Sequence, residues 1–254
     1  MTVIRTAAGV VAVVAALSWV GPSAAQVTAR EVLERLDANM TIRTARSRAE
    51  LVVHYRDGDD RTMTFESWDR GTDQSFLEFT APERDAGSRF LRLGDAMWIF
   101  LPRVGKSVRI QGHMLRQGFM GSDFSYGDAS ENPSMAADYD AVIERRDTVE
   151  GRQVMVLALT ARRPNLSYPR RRVWVDVERW VPLREERFAA SGRLLKTAAF
   201  SDVRRLADRW YPFRIELDDA LQTETTTTLR VLELRLGVSL PADIFTLRHL
   251  EGGR

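Results

Sequence analysis

Between positions 49 and 236 the chain runs as short alternations of apolar and polar residues, each closed by a turn signal. That rhythm admits little besides an antiparallel meander. Ala49, Leu51, Val53 and Tyr55 alternate with Glu50, Val52, His54 and Arg56 ahead of the turn Asp57-Gly58-Asp59-Asp60. Runs at 62–68 and 74–80 follow, split by Gly71-Thr72-Asp73. Residues 88–93 and 96–101 make a hairpin around Gly94-Asp95, and 107–110 closes the first half. The rhythm stops at Gln111 and resumes at 141–149, which pairs with 152–161 around Glu150-Gly151. Strands are then expected at 170–176, 181–189, 193–203, 211–218 and 222–236. The last is rich in threonine, as suits an exposed strand surface. A final helical turn is expected near Pro241, ahead of 247–250. One helix precedes the strands: Thr28 and Glu31 have capping-box spacing, and Val32, Leu33, Leu36 and Met40 share a face.

Two features break the pattern. Residues 97–101 are apolar without exception, so this strand carries oily side chains on both faces, and something must cover the second. The nearest candidate is the stretch just downstream, 111–138, which lacks strand rhythm. At its centre Gly118-Phe119-Met120-Gly121-Ser122-Asp123-Phe124-Ser125-Tyr126-Gly127-Asp128 mixes large apolar side chains with turn and cap formers. A long insertion with this much apolar surface covers something.

The chain opens with one positive charge at Arg5, an apolar run over 7–20, the break Gly21-Pro22 and the small residues Ser23-Ala24-Ala25. This reads as an export signal over 1–25, cleaved after Ala25. The run is short for a membrane span of about 20 residues. No cysteine is present, so neither a lipid-anchored terminus nor a disulfide is expected, and 26–254 reads as one soluble domain. A net charge of +2 argues against a dedicated nucleic-acid binder.

Catalytic patterns are missing. His54, His113 and His249 are scattered without metal-ligand spacing. Ser122 lacks a nucleophile elbow, and there is no phosphate or dinucleotide loop. Asp123 and Asp128 flank Ser125 and read as turn and cap residues. The basic run Pro169-Arg170-Arg171-Arg172 reads as a solvated strand edge, the alternative being contact with anionic lipid head groups. No metal, cofactor or enzymatic activity is expected.

Trp98-Ile99-Phe100-Leu101-Pro102, Gly105-Lys106, Arg109-Ile110 and above all Phe119-Met120-Gly121-Ser122-Asp123-Phe124-Ser125-Tyr126 resemble the outer-membrane lipoprotein-sorting proteins of the LolA-like superfamily. Val181-Pro182-Leu183, Gly192, Trp210-Tyr211-Pro212, Pro241 and Phe245-Thr246 extend the likeness over nearly the whole mature chain. The resemblance implies an α+β fold: a strongly curved antiparallel sheet, an incomplete barrel, with helices closing its concave face. It implies a periplasmic carrier that holds acyl chains of lipoproteins or other lipids and passes them towards the outer membrane. The insertion at 111–138 would be its lid. The cavity would be lined by Trp68, Phe79, Phe90, Trp98 and Phe100, and by Met114, Leu115, Phe119, Met120, Phe124 and Tyr126 from the lid. An inner-membrane exporter is the implied partner, and a monomer is expected. The rival reading is an envelope sensor or regulatory module on the same fold; a third is a secreted hydrolase using Asp123 or Asp128.

Overall fold

The computed structural model describes residues 27–130, 134–164 and 166–252. The leader expected at 1–25 lies outside the described residues. Helix α1 (Ala29–Met40) begins where the Thr28 side chain accepts the Glu31 N–H at 3.2 Å and the Glu31 carboxylate accepts the Thr28 N–H at 2.8 Å. It buries Val32, Leu33 and Leu36, as its periodicity requires.

The strands form one antiparallel sheet. The first half is β1 (Thr44–Tyr55), β2 (Arg61–Arg70), β3 (Gln74–Ala81), β4 (Arg89–Leu93), β5 (Ala96–Leu101) and β6 (Lys106–Ile110). The second half is β7 (Tyr139–Val149), β8 (Arg152–Ala161), β9 (Arg170–Asp176), β10 (Val181–Phe188), β11 (Leu194–Leu206), β12 (Arg209–Asp219) and β13 (Thr225–Leu236). Across the sheet the order is β6-β5-β4-β3-β2-β1-β13-β12-β11-β10-β9-β8-β7. Each half is a meander, and the first and last strands zip the halves together from Ala45 opposite Leu236 to Tyr55 opposite Thr225.

The sheet does not close, so β6 and β7 are its two edges. They are also consecutive in the chain. Twelve strand spacings of about 4.8 Å would put those edges nearly 60 Å apart if the sheet were flat. Within the segment 111–138 that joins them, Met114, Leu115, Phe119, Met120, Phe124 and Tyr126 pack on one face of the sheet, which makes it a cover. It folds as two 3-10 turns, Gly112–Arg116 and Phe119–Gly121, and two short helices, α2 (Tyr126–Ser130) and α3 (Met135–Asp138).

The two-faced strand is β5. Met97 and Ile99 point to the face covered by the insertion, among Leu51, Met63, Phe79 and Phe90 and against Phe119. Trp98 and Phe100 point to the far face, where Phe76 and Leu91 pack on Ile244, Phe245 and Leu250. The insertion covers one side, as expected. The other is covered by the C-terminal segment that ends in α4 (Leu247–Leu250). On the second half, α1 packs against Leu157, Leu159, Val173 and Val175, joined by Ala136 of α3.

Two expectations need correcting. The basic run does not sit on an edge, because β9 lies between β8 and β10. Arg171 is buried, bonded to Glu185 at 2.9 Å and to the Tyr139 hydroxyl at 2.9 Å, and Arg172 pairs with Glu144 and Glu186. Arg171 neutralises a carboxylate inside the fold, whereas the Arg172 pairs lie at the partly exposed surface and Arg170 is exposed. The threonine-rich β13 is likewise not all surface: Thr227 and Thr228 are buried, for the reason given next.

Candidate functional site

The insertion is held in shape by its own backbone. Gly118 bridges to Ser125, the Phe119 N–H donates to Phe124 O at 2.5 Å, and the Ser122 hydroxyl donates to Phe119 O at 2.7 Å. The turn passes through left-handed backbone at Met120 (φ 53°) and Gly121 (φ 75°). A Cβ at Gly118 would lie 2.6 Å from Ser122 O, so only glycine fits there. This tight loop thrusts Phe119 onto the sheet. Its ring centroid sits 4.6 Å from Phe90, 5.6 Å from Tyr126 and 6.0 Å from Phe79, and the residue is 6% exposed. Met114, Leu115, Met120, Phe124 and Tyr126 pack around the same cluster.

Polar latches tie the insertion down. The Asp123 carboxylate accepts from Thr225 (2.8 Å) and Thr227 (2.5 Å), and its N–H donates to Thr227 Oγ1 at 2.9 Å. That contact accounts for the buried Thr227 of β13, while Thr228, on the opposite face, lies 3.1 Å from His54 Nε2. Arg61, fixed by a two-pronged bond to Asp85 (2.8 and 2.9 Å), donates to Met120 O at 2.9 Å. Ser125 caps α2, its hydroxyl accepting the Asp128 N–H at 3.0 Å, while Asp128, inside the first turn, accepts the Ser125 N–H at 2.6 Å. Asp128 also accepts from Tyr168 (2.6 Å), Arg187 (2.6 Å) and Lys196 (2.7 Å). Although burial opposes ionisation, the Arg187 and Lys196 charges and these hydrogen bonds win and hold its carboxyl far below the usual range. At the other end, Asp37 of α1 accepts the Met135 (3.1 Å) and Ala136 (2.7 Å) N–H groups of α3.

Beside the Phe119 cluster lies a hollow of about 320 Å³. Its apolar wall comes from the end of α1 and from β1 and β13: Met40, Ile42, Ala45, Ala49, Val231 and Leu234. Its other wall is polar, built from Ser47, Ser67, Asp69, Ser75, Arg92 and Tyr211. The hollow continues into a space of about 40 Å³ bounded by Phe119, Phe90, Leu77 and Met97, and the two share Ser75, Arg92 and Ala129. A larger depression of about 610 Å³ beside the β1–β2 hairpin is open and lined mainly by charged residues, Asp59, Asp60, Arg61 and Arg84, and another of about 470 Å³ is lined by Leu115 of the insertion with Leu166, Leu195 and Leu221.

The residues expected to form the site therefore separate. Phe79, Phe90, Met114, Leu115, Phe119, Met120, Phe124 and Tyr126 come together on the face covered by the insertion. Trp68, Trp98 and Phe100 belong to the far face, each stacked by an arginine: Arg46, Arg109 and Arg89 respectively. Strand alternation decides this, since Trp68 neighbours Ser67 and Asp69, which face the hollow. None of the expected residues lines the larger hollow, and Phe90 and Phe119 line its narrow extension. The polar wall was readable in β2, where the inward series Met63, Phe65 continues as Ser67, Asp69. Among the described residues, no group of three or more His, Cys, Asp or Glu side chains is placed to hold a metal ion. No helix among them is long and apolar enough to cross a membrane.

The open antiparallel sheet of thirteen strands is similar in fold to solved proteins of the LolA superfamily. A LolA superfamily protein from Nitrosomonas europaea superposes with a TM-score of 0.75 at 24% identity, covering 88% of this chain and 99% of its own. A DUF1329 family protein from Desulfovibrio piger gives 0.81 at 23%, covering 87% and 97%. A domain from Vibrio parahaemolyticus, described as an outer membrane lipoprotein-sorting protein, gives 0.78 at 23%, covering 88% and 98%. No curated protein matches the sequence. The chain belongs to a family described as uncharacterized protein, whose model it matches over residues 71–252.

Proposed function

We propose that the protein is an exported, periplasmic, monomeric carrier, not an enzyme, that shelters the acyl chains of lipids or lipoproteins on their way to the outer membrane. In this reading the sheet is curved, α1 and the insertion close its concave side, and 111–138 is the lid. The supporting observation is Phe119: an apolar plug from a latched insertion occupies the aromatic nest of Phe79 and Phe90, next to an open hollow. A hollow of about 320 Å³ is at the small end of ligand cavities, so a long chain requires Phe119 to leave. A tail that replaces it gains about 0.8 kcal/mol for each CH₂ buried, offset by the cost of opening and chain ordering. The latches are polar and reversible, as release demands, and an inner-membrane exporter is the kind of partner such a carrier would serve.

The test is lipid mass spectrometry on protein isolated from the periplasm without detergent. A stoichiometric lipid, absent from a Phe90→Asp variant that retains its fold by circular dichroism, is the expected result. Protein free of lipid, with no binding of a fluorescent fatty acid, would overturn the reading.

A further inference from the structure

The hollow is not built for hydrocarbon alone. Register places Ala45, Asp69, Ser75, Arg92 and Met97 in one cross-strand row over β1 to β5: Ala45 faces Asp69, Asp69 faces Ser75, Ser75 faces Arg92, and Arg92 faces Met97. An acid and a base thus stand two strand spacings apart, about 10 Å at the backbone, with the small Ser75 between them leaving a notch. All three line the hollow.

Their partners within the protein are incomplete. The Ser67 hydroxyl, itself 2.8 Å from Ser47 Oγ, donates to Asp69 Oδ2 at 3.0 Å, and Ser75 adds a second hydroxyl bond. No lysine or arginine among the described residues comes within salt-bridge distance of Asp69. Burial raises its carboxyl above the ordinary range, against those hydroxyl bonds and the more distant Arg92. Arg92 is buried and donates through Nη1 to Thr72 O (2.9 Å) and Gly94 O (3.3 Å). Among the described residues no acceptor is found for its other N–H groups. A purely apolar occupant would strip water from this row and return nothing, which is costly for each group left unbonded.

We propose that the cargo is an amphiphile that enters polar end first, with a hydroxyl seated over Ser75, donating to Asp69 and accepting from Arg92. Its apolar body runs along Leu77, Phe90 and Met97 into the nest that Phe119 vacates. A hydroxyl supplies the donor and the acceptor in one small group, whereas a carboxylate would face Asp69 and a hydrocarbon would satisfy neither side. This rests on the carrier reading and names its substrate class.

The experiment is displacement of a bound fluorescent fatty-acid analogue by three competitors of equal chain length, tetradecan-1-ol, myristate and tetradecane, on wild type, Asp69→Leu and Ser75→Leu. On wild type the alcohol is expected to displace at about a tenfold lower concentration than the others, the worth of a hydrogen bond to a charged group. Both variants should lose that preference while still binding the fluorescent probe. Equal displacement by all three on wild type, or a preference unchanged in Asp69→Leu, overturns the inference and leaves the carrier reading standing. Failure of the fluorescent probe to bind wild type overturns both. Should Asp69→Leu not fold, Ser75→Leu, which fills the notch without removing a charge, carries the same test.

Discussion

At Gly118 a single hydrogen atom separates a closely folded loop from a clash. A methyl group there would press on Ser122 O at 2.6 Å, a backbone atom that cannot swing aside. Gly118→Ala should therefore destabilise the insertion by about 1–3 kcal/mol, loosening Phe119 and increasing binding of an apolar dye, with strand content by circular dichroism unchanged. Asp69 is the opposite case, a residue kept at a cost. Its folded-state pKa is raised by burial, so protonation favours the folded form. Its contribution is most favourable below the ordinary carboxylate pKa of about 4 and is lost as pH rises through the higher folded value. Asp69→Asn should accordingly raise the melting temperature at pH 7.5 and have a smaller effect at pH 4, measured by calorimetry. An equal effect at both values would mean the carboxyl is not desolvated. Asp128 has the reverse sign. With its carboxyl held low by Arg187 and Lys196, its pairing with them persists from neutral pH down through the ordinary carboxylate range.

Among the elements, β5 carries the lesson about legibility. Its unbroken apolar run told from sequence that both faces are covered, and the insertion downstream was correctly read as one cover. The second cover begins near Leu240, far along the chain, and no local pattern links Trp98 to Phe245 or Leu250. The same limit explains Trp68, Trp98 and Phe100: size and hydrophobicity marked them as interior, but only register sorts them to the far face. Turn signals and alternation fixed the strands to within a few residues. Arg171 misled because charge density was read without its partners, Glu185 and Tyr139, which lie on other strands. Leu250 anchors the far-face cover and is fully buried. Leu250→Ala should cost about 2–5 kcal/mol by chemical denaturation, and leave binding of a hydrophobic probe on the lid-bearing face intact in the folded protein.

For the whole molecule the governing fact is that consecutive strands β6 and β7 are the two edges of one sheet. Their connection packs over one face, so cover, aromatic plug and polar latches are all carried by one segment. Sequence revealed that this segment is oily and glycine-rich; it could not reveal that the open space lies beside Phe119 towards β1 and β13, lined by residues that looked like ordinary strand. The central claim is that Phe119 and a hydrocarbon tail compete for the same nest. Titration of a fluorescent long-chain fatty acid into wild type and Phe119→Ala measures this directly. Removing the plug weakens the closed state, so the variant should bind about tenfold tighter. Unchanged or weaker binding by a variant that still folds would contradict the account.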